Sequence, residues 1–147
     1  MSVQCVVFEG LSPFLIGTPN YVKRGLLDPL DLANVSVWRG SFMSKGPLPR
    51  IDHKLVVIAH SMGGPSALWW CNKWKEFPVD LLVTLDPRPL HRPYIKPPNV
   101  KRAVNFYQTG FMRGYEVKGA ENIKVVTAGH TKLPALSAVE RLVKGYL

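Results

Sequence analysis

Residues 55–70 read LVVIAHSMGGPSALWW, and this stretch decides the fold. It opens with a continuous apolar run, Leu55 to Ala59, that is rich in β-branched residues. Such a run is typical of a strand that is buried on both faces of a parallel sheet. A turn with two glycines follows, and the apolar and aromatic residues after it predict a helix. The stretch therefore predicts a buried strand that turns sharply at Ser61 into a helix.

The rest of the chain repeats this alternation of strand and helix. It predicts an α/β fold of about six mostly parallel strands with helices on both faces and no large cap domain. Five prolines between residues 87 and 99 exclude a helix or a central strand there, so we expect a loop or a small cap. Nothing resembles a linker, so residues 1–147 are expected to form one domain. The predicted strands span residues 3–8, 34–38, 55–59, 80–85, 103–107 and 123–127, and the predicted helices span residues 20–32, 64–76 and 136–147.

Composition narrows the class of protein. Of the 147 residues, 46% are hydrophobic and 20% are charged, which indicates a folded core and excludes a disordered chain. No uncharged apolar run is long enough to cross a membrane, and the first residues do not resemble a secretory signal. Cys5 and Cys71 lie in apolar segments without the paired spacing of a zinc site, so we interpret them as reduced core thiols. We therefore expect a cytoplasmic protein.

The net charge of +9 comes from 19 Lys and Arg against 10 Asp and Glu. Such an excess suits nucleic acid, an anionic surface or an acidic substrate. The cations are spread along the whole chain, however, and the densest stretch, residues 88–102, carries no nucleic-acid-binding signature. We interpret the charge as a solvated basic surface and do not expect a nucleic-acid partner. Binding of an anionic partner stays as an alternative.

The turn after the strand at residues 55–59 has the residue types that typically surround a reactive serine. Ala59 and Gly63, two residues before and after Ser61, are small enough for strand and helix to meet closely, and Gly64 continues the turn. A hydroxyl on such a strained turn is held out above the sheet. The following helix directs its positive end at the site, and the backbone N–H of Met62 can donate to a developing oxyanion.

A serine nucleophile needs a base, and the base needs an orienting acid. Asp86 ends the predicted strand at 80–85, at the sheet edge where sites of parallel sheets are built. His130 follows the last predicted strand, and Gly129 before it permits a tight turn that aims the ring over the sheet. His91, in the proline-rich segment, is the main rival as base. His53 is expected at the opposite edge of the sheet.

A second oxyanion donor is expected from the loop after the first strand. Gly10 lets the backbone turn towards Ser61, and the Leu11 N–H is then the donor. The ring of His60 is expected to pack beside the site.

The segment VIAHSMGG resembles the nucleophile elbow of the α/β-hydrolase superfamily, in particular its lipases, esterases and thioesterases. The chain order Ser61, Asp86, His130 is the order of that superfamily. The resemblance implies a minimal α/β-hydrolase with Ser61 as nucleophile, His130 as general base and acid, and Asp86 as the orienting acid. It implies an oxyanion hole from Met62 and Leu11, no cofactor and no metal, and a small-molecule ester or thioester as substrate.

The chain departs from that superfamily in three respects. It is much shorter than a typical member, its candidate acid follows the first strand after the elbow rather than the second, and Glu9 stands where many members have a histidine. The short length motivates an alternative of another class, a non-catalytic binding protein on a degenerate hydrolase fold.

Overall fold

The computed structural model describes residues 2–10, 20–89 and 92–147, and its centre is a six-stranded parallel sheet. The strands are β1 (Val3–Glu9), β2 (Val35–Ser41), β3 (Lys54–His60), β4 (Leu81–Leu85), β6 (Ala103–Tyr107) and β8 (Glu121–Lys124). Two short strands, β5 (Tyr94–Ile95) and β7 (Val117–Lys118), pair with each other beside it. The proline-rich segment between β4 and β6 thus contributes one short strand outside the main sheet.

The spatial order of the main sheet is β2-β1-β3-β4-β6-β8. The chain passes from β1 to β2 on one side and then returns to place β3 on the other side of β1. Parallel sheets bind ligands outside the carboxyl ends of their strands, at the point where the strand order reverses. Ser61 directly follows β3 and Gly10 directly follows β1, so both lie at this point of reversal.

Helices cover both faces of the sheet, because alternate strand residues face opposite sides. In β1, Cys5 and Val7 join one apolar cluster, and Val6 and Phe8 join the other. The first cluster packs against a π-helical turn (Lys23–Leu27), a 3-10 helix (His130–Ala135) and helix α2 (Ser137–Lys144). The second packs against helix α1 (Gly63–Lys73). The predicted α/β class, with about six parallel strands and helices on both faces, is confirmed.

Most predicted elements have somewhat different bounds in the structure; the strand predicted at 34–38 extends to Ser41, and the helix predicted at 64–76 ends at Lys73. The first helix stops at Leu27 and does not reach residue 32, because Pro29 has no N–H with which to continue the helical hydrogen bonds. The last strand spans Glu121–Lys124 rather than 123–127, and all four of its residues are exposed, so apolar pattern does not mark it. The final helix is shorter than predicted and spans Ser137–Lys144.

The two cysteines are buried and unpaired, as the sequence predicts. They lie in different apolar clusters, on opposite faces of the sheet. Burial raises the pKa of each thiol to about 12, so both are protonated at neutral pH. In the described ranges, no helix has the length and apolar character needed to cross a membrane.

A ladder of polar side chains joins the last three strands of the sheet. Asn105 on β6 accepts a hydrogen bond from the Thr84 hydroxyl at 2.7 Å. Its amide nitrogen donates to Asn122 Oδ1 and to the Tyr115 carbonyl, both at 2.9 Å. Asn105 is fully buried, and each polar atom of its side chain has a partner. This ladder fixes the segment after β6 to the sheet.

Replacing Asn105 with Leu leaves the buried Thr84 hydroxyl without its acceptor and removes the hydrogen bonds to Asn122 and to the Tyr115 carbonyl. We expect the free energy of unfolding in urea to fall by about 2–3 kcal/mol, the usual cost of unpaired buried groups. Asn72→Leu, on the exposed side of α1, is the control and should change it by less than about 0.5 kcal/mol. Equal effects of the two substitutions would contradict a role for the ladder.

Candidate active site

Ser61 lies on a strained turn between β3 and α1. Its φ is +56°, a left-handed conformation that non-glycine residues rarely adopt. Backbone hydrogen bonds hold it there: its N–H donates to the Leu85 carbonyl at 2.9 Å, and its carbonyl accepts from Gly64 at 3.0 Å and from Arg88 at 3.2 Å. The turn is therefore fixed to β4 and to the segment that follows β4.

The small residues around Ser61 are required by close packing. A Cβ on Gly10 would lie 2.8 Å from the Ser61 Cβ, and a Cβ on Gly63 would lie 2.7 Å from the Phe8 carbonyl carbon. A Cβ on Gly64 would lie 2.6 Å from the Cβ of Pro87. Ala59, at the same turn, is fully buried. Larger side chains at these positions would push the helix, the end of β1 and the segment after β4 apart.

Met62, the first predicted oxyanion donor, directly precedes α1. In the described ranges, no hydrogen-bond acceptor is paired with the Met62 N–H, which lies at the amino end of α1. The ideal Cβ position on Gly10 is 3.3 Å from that nitrogen, so the end of β1 lies directly beside it. Leu11, the second predicted donor, lies outside the described residues.

Asp86 and His130 are brought together although 44 positions separate them in the sequence. His130 Nδ1 donates to Asp86 Oδ2 at 2.8 Å, and the Asp86 side chain has no exposed surface. Asp86 follows β4 with a φ of +52°, and its N–H donates to the Phe106 carbonyl. The hydrogen bond to Asp86 leaves Nε2 of His130 as the ring nitrogen that can accept a proton.

Gln108 and Gly114 hold the Asp86 carboxylate, and sequence reasoning missed both residues. The backbone N–H groups of Gln108 and Gly114 donate to Oδ1, each at 2.9 Å. The Gln108 side chain donates to Oδ2, also at 2.9 Å. Gln108 is the first residue after β6, at the same sheet edge as Asp86. That position was a usable signal, whereas the contact with Gly114 depends on a loop path that no pattern indicated.

His60 lies between the elbow and His130. Its Nε2 donates to the His130 carbonyl at 2.8 Å, and the two ring centroids are 4.7 Å apart. The Tyr21 ring meets the His60 ring edge-on at 5.7 Å. Burial lowers the pKa of His60 to about 4, and the nearby His130 adds to that effect. His60 is therefore neutral at pH 7, and it packs beside the site as predicted.

The three predicted catalytic residues lie at one sheet edge, but only two of them are hydrogen-bonded to each other. In the part of the chain that the structure describes, no hydrogen bond joins Ser61 Oγ to His130. Ser61 and His130 are 6% and 7% exposed. Hydrogen bonds between a nucleophile and its base are often long in free enzymes and tighten only with substrate.

Among the described residues, His53 does not take the place of His130. His91 lies outside the described residues. His53 precedes β3, at the amino end of the strand, so it lies at the opposite edge of the sheet from Ser61. The predicted role of Gly129 as a tight turn is wrong. Its backbone is extended, and a Cβ there would meet nothing within 4 Å, so a larger residue would fit.

Glu9 joins the end of β1 to the helical segment around Val22 and Lys23. Its buried carboxylate accepts hydrogen bonds from the N–H groups of Val22 at 3.0 Å and Lys23 at 3.3 Å, and it forms an ion pair with Arg39 at 3.1 Å. Burial raises the pKa of Glu9, while these hydrogen bonds and Arg39 oppose the shift. Glu9 therefore connects two described segments, the end of β1 and residues 22–23.

Candidate metal ligands are not grouped in the described ranges. Over residues 2–10, 20–89 and 92–147, no three His, Cys, Asp or Glu side chains converge in a geometry that could hold a metal ion. The acidic and imidazole groups at the carboxyl edge of the sheet contact each other and backbone groups.

The buried, neutral state of His60 makes stability depend on pH. The unfolded chain binds a proton on this residue near pH 6.5, whereas the folded chain binds it only near pH 4. The part of the folding stability that depends on His60 is about 3 kcal/mol. It is fully present above pH 6.5 and is lost as the pH falls to 4. His60→Gln keeps a donor for the His130 carbonyl and removes the titration. We expect its unfolding free energy to fall less steeply between pH 6.5 and 4, and parallel curves would contradict this.

Comparisons with known proteins add no family to this geometry. A scan against models of protein families finds none that matches the chain, and a search of curated proteins finds no match either. Because fold alone does not determine function, the chemistry has to be argued from the site.

Proposed function

We propose that the protein is a serine hydrolase that cleaves carboxylic ester or thioester bonds through an acyl-enzyme. One observation carries the proposal: a buried Asp86–His130 hydrogen bond lies at the same sheet edge as a serine on a left-handed turn. A serine on a strained turn, at the sheet edge that also carries an oriented imidazole, supports activation of the serine hydroxyl by that imidazole. In this proposal Ser61 is the nucleophile, His130 is the base and Asp86 is the orienting acid.

In the proposed reaction, every proton transfer passes through Nε2 of His130. His130 Nε2 takes the Ser61 proton as Oγ forms a bond to the carbonyl carbon of the substrate. The bond from that carbon to the leaving oxygen or sulfur then breaks, and the leaving atom takes the proton from Nε2. Water, deprotonated by Nε2, attacks the acyl-enzyme, the carboxylic acid leaves, and Ser61 regains its proton. Asp86 keeps Nδ1 protonated throughout, so Nε2 is the nitrogen that exchanges protons.

The proposed oxyanion hole consists of backbone N–H groups. The unpaired Met62 N–H lies at the amino end of α1, where the helix dipole favours negative charge. Leu11, which follows Gly10, is the second proposed donor. Removing one such donor in other enzymes raises the barrier by roughly 2.7–4 kcal/mol. The close packing of Gly10 against Ser61 supports this placement.

The basic charge supports a nucleic-acid or anionic partner less well than the site supports hydrolysis. In the described ranges, several cations are already paired with carboxylates: Lys23 with Asp28, Arg39 with Glu9, Lys101 with Asp80, and Arg102 with Glu121. In each of these pairs a carboxylate offsets part of the positive charge that an anionic partner would meet. The buried thiols of Cys5 and Cys71 support a reducing, cytoplasmic setting for the proposed enzyme.

Loss of the Ser61 hydroxyl tests the proposal. We expect Ser61→Ala to lower kcat for p-nitrophenyl acetate by about 10⁴- to 10⁶-fold, because the proposed acyl-enzyme forms on the Ser61 hydroxyl. Ser137→Ala, which removes an exposed hydroxyl at the start of α2, should leave kcat within about twofold. If the folded wild-type protein showed no turnover, or if Ser61→Ala turned over like wild type, the chain would be a non-catalytic binding protein or would use another residue.

A further inference from the structure

A cleft of about 510 Å³ opens beside His130. One wall belongs to the segment after β6 and carries Phe111 and Met112. The other belongs to the segment after β8 and carries Val126 and Ala128. His130 itself is part of the lining, whereas Ser61 is not. The cleft therefore extends from the base and not from the nucleophile.

The chemistry of acyl transfer indicates which part of a substrate would lie beside His130. The acyl group of the substrate becomes bonded to Ser61 Oγ, so it must lie at the serine. The leaving atom must lie within hydrogen-bond reach of His130 Nε2, because that nitrogen gives it the proton. The rest of the leaving group then extends away from Ser61 on the His130 side. The cleft that His130 lines therefore has the position expected for the leaving group.

The lining of the cleft combines large apolar side chains with uncharged polar ones, Gln108, Thr127 and Thr131, beside His130. Phe111 is 88% exposed, Val126 is 85% exposed and Met112 is 38% exposed, although all three are large hydrophobic residues. Among the described residues of the lining, none is Asp, Glu, Lys or Arg. Single exposed apolar residues are common, but three that surround one cleft indicate a surface that a ligand covers.

The wall that carries Phe111 is hydrogen-bonded to Asp86, the orienting acid. Gln108 Nε2 donates both to Asp86 Oδ2 and to the Phe111 carbonyl, each at 2.9 Å, and Gln108 Oε1 accepts from the Gly110 N–H at 2.6 Å. One buried side chain thus fixes the wall relative to Asp86 and, through Asp86, relative to His130. A wall held in this way can select a ligand without being ordered by it.

We propose that this leaving-group cleft binds the alcohol or thiol part of the substrate and selects uncharged, apolar leaving groups. The inference rests on the proposed function and adds the substrate class to it. Apolar leaving groups are favoured because each methylene placed against these walls is removed from water. Charged leaving groups such as choline are disfavoured, since no carboxylate in the described lining can pair with them.

Acetate esters of straight-chain alcohols test the cleft while the acyl group stays constant. We expect kcat/KM to rise from methyl to pentyl acetate by on the order of 30-fold, as partial burial of four methylenes gives. Concentrations are kept below aggregation of the ester. A matched series of methyl esters, from acetate to hexanoate, reports the acyl side separately. Hydrolysis of p-nitrophenyl acetate by the same preparation shows whether the proposed function itself holds.

The double variant Phe111→Ser with Val126→Ser removes the apolar walls. We expect its pentyl-to-methyl ratio of kcat/KM to fall below about fivefold, and this ratio cancels any common change in activity. Ile51→Ser, an equally exposed residue (83%) outside the leaving-group cleft, is the control and should keep the wild-type ratio. Circular dichroism and the thermal midpoint verify that each variant is folded.

Two outcomes would overturn the leaving-group cleft while the proposed function stands. In one, p-nitrophenyl acetate is hydrolysed but kcat/KM does not depend on alcohol length. In the other, the dependence on alcohol length is the same in the double variant and in wild type. An absence of p-nitrophenyl acetate hydrolysis would instead reject the proposed function, on which the cleft depends.

Discussion

The hydrogen bond between Asp86 and His130 is the interaction on which the rest of the site depends. A carboxyl group with no exposed surface is costly unless its oxygens have partners, and Asp86 has four donors: His130, two groups of Gln108, and Gly114. These donors come from segments after β6 and β8. Satisfying one buried side chain therefore fixes the paths of both segments that form the leaving-group cleft.

The sequence predicts the parts of the site that follow from strand ends. Residues 55–59 are apolar enough to identify a buried parallel strand, and the small residues around Ser61 identify the turn after it. Because all strands of a parallel sheet end at one edge, the residues that follow them must come close together. This rule was sufficient to place Asp86 near His130, although no local pattern connects them.

Other features could not be predicted, because they depend on long-range contacts. Glu9 accepts a hydrogen bond from the N–H of a residue 13 positions away in the sequence. His60 donates a hydrogen bond to a carbonyl 70 positions away. Neither contact has a local signature. The last strand was misplaced because β8 is exposed along its whole length, so its residues carry no apolar pattern. The role of Gln108 could have been predicted, because it directly follows the strand predicted at residues 103–107 and therefore lies at the same sheet edge as Asp86.

Substitution of the orienting acid tests the central claim most directly. Asp86→Asn keeps the size of the side chain but favours the wrong tautomer of His130, and kcat for p-nitrophenyl acetate should fall by about 10⁴-fold. Asp80→Asn, at the amino end of the same strand, is the matched control and should stay within about twofold of wild type. If Asp86→Asn retained the kcat of the Asp80→Asn control, the Asp86–His130 hydrogen bond would be structural and the proposed mechanism would be wrong.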